Sequence, residues 1–133
     1  MRRQSFPTEI SPLLEVCQLS ISAQGPVGER SITIATSLSA AKGETIGIVG
    51  ESGSGKSLTA RAIVGLLPQN VSAKGVVRFD GQNILNLPEA ELQSLRGSRI
   101  SLIFQDPFTM LNPLHKCGNH IKEVLQGRKK FGS

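Results

Sequence analysis

Between Gly50 and Ser57 the chain reads Gly50-Glu51-Ser52-Gly53-Ser54-Gly55-Lys56-Ser57, a Gly-x-x-x-x-Gly-Lys-Ser pattern. These residue types at this spacing suit one task, which is holding a polyphosphate. Glycines reach backbone conformations that residues with a Cβ resist, and they let the main chain close around an anion. Successive N–H groups then form a nest for phosphate oxygens, and the positive end of a following helix adds to it. Lys56 offers a mobile cation for the β- and γ-phosphates of a nucleoside triphosphate. The Ser57 hydroxyl is placed to ligate Mg²⁺. The alternative is a Gly/Ser surface loop that happens to contain a lysine. Accidental matches are on the order of one in a hundred chains of this length.

Such a loop needs a strand before it and a helix after it. Thr45–Val49 is a short, nearly continuous apolar run, as expected of a strand buried on both faces of a parallel sheet. After the loop, Leu58, Ala62 and Leu66 recur four apart with Ile63 and Leu67 beside them. This predicts an amphipathic helix over Lys56–Leu67, stopped by Pro68. A second buried-strand pattern, Ile100–Phe104, ends in Gln105-Asp106-Pro107. A polar residue at the carboxyl end of a parallel strand lies where α/β sheets bind ligands. Gln105 could touch Mg²⁺ or orient a water through its carbonyl oxygen, or it could be a solvated strand end.

The remaining elements are simpler. Leu14–Ile21 reads as a strand with a phase slip near Cys17-Gln18, and Ser31–Ser37 as another, alternating through Ile32 and Ile34. Gln24–Gly28 and Ala41-Lys42-Gly43 read as turns. Gly75–Phe79 is a strand closed by the turn pair Asp80-Gly81. Pro88–Arg96 reads as a helix with Glu89 and Glu91 at its positive end and Arg96 at the other. His120–Leu125 is a last short helix.

Bulk properties narrow the class. The chain has 133 residues, a hydrophobic fraction of 38% and a net charge of +5, which fits one globular domain of ordinary solubility. Five Phe with no Trp or Tyr disfavour a base-stacking nucleic-acid reader. Cys17 and Cys117 share no metal or redox spacing and suit a reducing compartment. Met1-Arg2-Arg3 is followed by Gln4-Ser5-Phe6-Pro7-Thr8-Glu9 instead of an apolar stretch, so no secretory signal of the usual form is read. No apolar run approaches the ~20 residues of a membrane span.

With these residues in view, the chain resembles the ATP-binding subunits of ABC transporters. Lys42-Gly43-Glu44 precedes the phosphate loop as in that family. Leu102-Ile103-Phe104-Gln105-Asp106-Pro107 resembles its Q-loop. Gly47–Ser57, Gly65-Leu66-Leu67-Pro68, Leu95-Arg96-Gly97 and Phe108–Pro113 resemble the subgroup serving oligopeptide and dipeptide importers, with nickel importers close by. The resemblance runs from about Leu13 to Gln126. It implies an α/β fold: the N-terminal half of a P-loop NTPase domain, with an antiparallel β portion and an incomplete parallel core sheet. It implies a flexible leader over 1–12, a partial nucleotide-binding domain over 13–126 and an atypical basic tail over 127–133 that marks a truncation or frameshift. It further implies ATP and Mg²⁺ as cofactors, with Gly50, Glu51, Ser52, Gly53, Ser54, Gly55, Lys56 and Ser57 on the phosphates, Ser57 and Gln105 on the metal, and Lys56 and Gln105 in catalysis. The implied partners are two transmembrane permease subunits, a second ATP-binding subunit and a periplasmic solute-binding protein, without nucleic acid. The implied location is peripheral, on the cytoplasmic face of a bacterial inner membrane.

The chain also departs from that family. The position where the family stacks an aromatic ring on adenine is Ala23, and such stacking contributes roughly 1–3 kcal/mol. Within these 133 residues there is no Leu-Ser-Gly-Gly-Gln signature, no apolar run ending in Asp-Glu and no switch histidine. His115 and His120 lie too near Gln105 for that role and are read as surface or packing residues. The expectation is therefore nucleotide binding at best and negligible hydrolysis by this chain alone, with marginal stability. Two other readings are a remnant without enzymatic function and a small-molecule kinase. Against the kinase stand the Gln105-Asp106-Pro107 segment and the lack of a lid-like arginine cluster.

Overall fold

A computed structural model describes residues 11–106 and 112–131. The expected leader falls largely outside these residues, as do Pro107–Leu111 of the segment after Gln105 and the last two positions of the tail.

Strand β1 (Leu14–Gly25) is the central spine. It pairs antiparallel with β2 (Gly28–Ala40) on one side and β3 (Val71–Phe79) on the other, and β3 pairs with the two-residue β4 (Gln82–Asn83). The sheet order is β2-β1-β3-β4. Pro26-Val27 turns β1 into β2, with Gly25 and Gly28 as the closing pair. Asp80-Gly81 turns β3 into β4 with φ of +50° and +80°, the double left-handed geometry that a tight hairpin requires.

The slip read at Cys17-Gln18 is a β-bulge. Val16, Leu19 and Ile21 are all buried although their spacing is three and then two. Gln18 adopts φ +51° and its N–H donates to Ser37 Oγ at 2.9 Å, so the displaced amide keeps a partner. On the neighbouring strand, Gly75 (φ +121°) faces this bulge. A Cβ there would lie 2.6 Å from Gln18 O and 2.8 Å from Cys17 O.

Helix α1 (Lys56–Ile63) packs on the inner sheet face, where Ala62 joins Val16, Leu19, Ile21, Val77 and Ile84 in the core. A 3₁₀ turn (Ile84–Asn86) leads to α2 (Glu89–Ser98), which adds Leu92 to this cluster. Helix α3 (Cys117–Phe131) closes the described chain. Its backbone is longer at both ends than the His120–Leu125 read from sequence, and no break in the helix falls at 126/127.

Three expectations need correction. Helix α1 stops at Ile63 rather than Leu67, because Gly65 turns left-handed (φ +65°) and ends it before Pro68 is reached. Ile32 and Ile34 do not share a buried face. The register against β1 shifts between Thr36 and Thr33, and Ile34 falls in that shift with 79% exposure. Thr45–Val49 and Ile100–Phe104 are not paired into strands. The α/β character and the antiparallel portion stand, but among the described residues no strand lies beside either segment to make a parallel pair. An apolar segment without a ladder partner keeps its N–H and C=O groups open. Val49 and Ile103 are accordingly 92% and 91% exposed.

Candidate phosphate-binding site

The loop from Gly50 to Gly55 joins the unpaired Thr45–Val49 segment to α1. Gly53 and Gly55 hold φ of +80° and +88°, the left-handed region that favours glycine. Ser54 N–H donates to Glu51 O at 3.2 Å, a tight turn inside the loop. Gly55 is the N-cap of α1 and carries no side-chain cap bond. The first amides of α1 therefore have neither an intrahelical acceptor nor a capping side chain, which is the state an anion site needs.

The Lys56 ammonium folds back over the loop. Nζ donates to Gly50 O at 2.8 Å and Glu51 O at 2.6 Å, with Ser54 Oγ at 3.4 Å. The cation thus sits where the loop's carbonyls gather, close to the amides that would meet phosphate. Upstream, Lys42-Gly43-Glu44 forms a closed turn: Gly43 has φ +81°, and Glu44 Oε2 accepts from Ala41 N–H at 2.7 Å.

A cavity of about 280 Å³ opens over the loop, lined by Ile32, Ser52, Gly53, Gly55, Lys56, Ser57, Leu58 and Gln105. A second, of about 350 Å³, lies on the other flank between Ser57, Ala60 and Arg61 of α1 and the Leu102–Asp106 segment. Ser57 and Gln105 line both. The two residues read from sequence as metal contacts, 48 positions apart, are thus brought to one place. Arg61 stacks its guanidinium over the Phe104 ring at 5.2 Å, which holds the residue preceding Gln105 against α1.

Not every expected residue joins the site. Gly50 and Glu51 contribute carbonyls to Lys56 rather than lining the cavity, and Ser54 contributes its hydroxyl. Ala23 pairs with Arg30 and Val71 in the sheet and lines neither cavity. His115 and His120 stack with ring centroids 5.7 Å apart at the start of α3 and line neither cavity.

Sequence reasoning missed β2's part. Ile32 lines the cavity, and Thr33 presses on the loop so closely that a Cβ at Gly55 would overlap its methyl group. No motif marks these two residues; only the fold back of β2 brings them there. Among the described residues no group of three or more His, Cys, Asp or Glu could hold a metal. Ser57 and Gln105 offer hydroxyl and amide oxygens to both cavities, and Asp106 lines the second; oxygen donors of this kind suit Mg²⁺ better than a transition metal. The glycine-lined concavity, the uncapped helix start and the folded-back ammonium together fit a nucleotide's phosphate chain.

Comparison with known proteins points the same way. The model of a family described as "ABC transporter" matches residues 35–130. The chain is 47% identical over 123 residues to the oligopeptide transport ATP-binding protein OppD of Salmonella typhimurium, covering 92% of this chain and 37% of that protein. It is 49% identical over 119 residues to OppD of Escherichia coli, covering 90% and 35%. It is 41% identical over 119 residues to the dipeptide transport ATP-binding protein DppD of Lactococcus lactis, covering 89% and 34%. The chain thus spans a little over a third of the length of these relatives.

Proposed function

This chain belongs to the ABC transporter family, and from that premise we propose that it binds MgATP at Gly50–Ser57 as part of an ATP-hydrolysing subunit that drives peptide import. The observation that carries this reading is the shared cavity. A left-handed glycine loop, Lys56, Ser57 and Gln105 all meet at the uncapped start of α1.

Each residue has a distinct part. The amides that open α1 and the loop would hold the β- and γ-phosphates. Lys56 would exchange its two carbonyl acceptors for phosphate oxygens, so that the ammonium keeps hydrogen-bond partners in both states. Ser57 and Gln105 are the residues that would hold Mg²⁺, which supplies charge neutralisation along the phosphates. Gln105, at the end of a segment fastened to α1 by Arg61 and Phe104, would also orient a water. Ile32 gives the cavity an apolar wall at the sheet side, and among the described residues its lining includes no aromatic ring for the base.

The permease pair, the second ATP-binding subunit and the solute-binding protein belong to this proposal as partners. So does attachment to the cytoplasmic face of an inner membrane. No helix among the described residues is long and apolar enough to cross a membrane, so attachment would go through the permeases. Residues 13–126 are the proposed nucleotide-binding portion. This chain alone is proposed to bind nucleotide without appreciable hydrolysis, since the acidic run, signature loop and switch histidine are not among its residues.

The test is direct. Titration of the purified chain with MgATP should give saturable binding that Lys56→Ala weakens by at least tenfold. The loss corresponds to one charge-assisted contact of about 1.5–3 kcal/mol. Equal binding by the two proteins would remove the assignment.

A further inference from the structure

Arg96 lies on α2, away from the phosphate cavity, yet it closes the far end of α1. Its Nε donates to Val64 O at 2.9 Å and its Nη2 to Gly65 O at 2.6 Å. Its Nη1 donates to Glu89 Oε1 at 2.8 Å, and the side chain is only 18% exposed.

Val64 is the C-cap of α1, and Gly65 is the residue just beyond it. Gly65 N–H bonds to Ala62 O and Leu66 N–H to Arg61 O, which is the Schellman arrangement. The guanidinium takes the cap carbonyl of Val64 and the carbonyl of Gly65 that follows it, and places a cation at the negative end of the α1 dipole. Glu89, two helical turns before Arg96, aims the fork. Leu92, one turn before it, fills the space beside Gly65. A Cβ on Gly65 would stand 3.2 Å from both Arg96 Nη2 and Leu92 Cδ1. Helix α2 therefore grips the end of α1 by charge and by shape at one point.

Helix α1 has eight residues, about 12 Å of rod. A rod this short has little room to bend, so a slide or tilt at Val64 reaches Gly55. The geometry points to Arg96, braced by Glu89, as a positioning residue for the phosphate loop: it fixes α1 along its axis and so sets where the loop amides and Lys56 stand. The inference rests on reading Gly50–Ser57 as the nucleotide cradle. One consequence follows by linkage. Whatever displaces α2 weakens nucleotide binding, and nucleotide resists that displacement by the same factor.

Two measurements on the same protein separate this claim from the reading beneath it. Hydrogen–deuterium exchange of the ligand-free full chain reports loop order without nucleotide, and MgATP titration reports the cradle. In Arg96→Met, amides of residues 53–58 should exchange about tenfold faster, and the MgATP Kd should rise about five- to tenfold. Arg96→Lys should recover only part of both, because a point charge cannot serve two carbonyls and a carboxylate as a planar fork does. Glu89→Ala should move both readouts in the same direction by less. A merely structural arginine would lower Tm while loop exchange and Kd, measured well below Tm, stayed at wild-type values; that result overturns the inference. Should Arg96→Met fail to fold, Glu89→Ala decides, and unchanged loop exchange in it overturns the inference equally. If the wild-type chain binds no MgATP, the nucleotide reading falls, while the exchange data still decide whether Arg96 positions the loop.

Discussion

Gly55 and Gly53 look interchangeable in sequence, yet their surroundings set them apart. Both have a left-handed φ, so alanine at either carries a backbone strain of about 1 kcal/mol or more. At Gly53 a Cβ meets nothing within 4 Å, whereas at Gly55 it overlaps Thr33 and comes within 3.2 Å of Ile32 Cγ2. Gly55→Ala should therefore cost about 2–3 kcal/mol more in unfolding free energy than Gly53→Ala. Thr33→Ala should return part of that difference when combined with Gly55→Ala, and a double-mutant cycle by urea denaturation measures the coupling. A coupling near zero would mean that β2 does not press on the loop. Thr33 Oγ1 is also buried without a hydrogen-bond partner among the described residues. Thr33→Val, which keeps the shape and removes the hydroxyl, should be neutral or stabilising by about 1 kcal/mol.

At the scale of elements, two of the three ion pairs found among the described residues lower a carboxyl's pKa. Arg78 holds the Glu15 carboxyl below its ordinary value by a 2.8 Å hydrogen bond between β3 and β1. Arg96 does the same for Glu89, with help from Gln93. A carboxyl whose folded pKa lies below the ordinary 4.5 binds its proton more readily when unfolded. Its contribution is fully present above that ordinary value and is lost as pH falls through the lowered one. The midpoint of thermal unfolding should thus hold steady from neutrality to about pH 5 and fall below it. Glu89→Gln should flatten part of that decline. A decline of unchanged steepness in Glu89→Gln would leave the Arg96 pair without a share in acid stability.

How much of this was legible in the chain depends on how local each cause is. The glycine turn that opens α1 and the bulge at Cys17-Gln18 are legible, because each is written in a few adjacent residues. The position of Gln105 near the loop is legible too, from its place after an apolar run. The end of α1 was misread from the late Pro68, although Gly65 followed by two leucines is itself a stop signal. Arg96 was read as the cationic end of its own helix. Its actual acceptors lie 31 and 32 residues away, and no periodicity carries that information. Ile32 and Thr33 were hidden for the same reason, since only the antiparallel return of β2 brings them to the loop. The expectation of parallel core strands rests on two apolar runs and on the family resemblance, which already implies an incomplete sheet. A run shows what a segment needs to bury, not whether a neighbouring strand is present to bury it.

For the molecule as a whole that last point has a measurable consequence. The core gathers on one sheet face around Leu19, Ile21, Val77 and Ala62, while Ile46, Ile48, Val49 and Ile103 remain open to solvent on the segments flanking α1. Unpaired backbone and apolar side chains on the same segment make a template for association. The purified chain should self-associate at concentrations on the order of tens of micromolar, visible as growing weight-average mass in sedimentation velocity. Ile103→Lys places a charge on the exposed hydrophobic of the Ile100–Phe104 run and should shift the chain toward monomer. Because Ile103 is 91% exposed, the same change removes almost no burial, and Tm should stay within about 2 °C of wild type. Loss of association with an unchanged Tm would identify this segment as the sticky edge. Persistent association would move the cause to the α3 face, where Ile121, Val124 and Leu125 are each more than half exposed. A wild-type chain that stays monomeric throughout would mean that the open segments find cover within the chain itself.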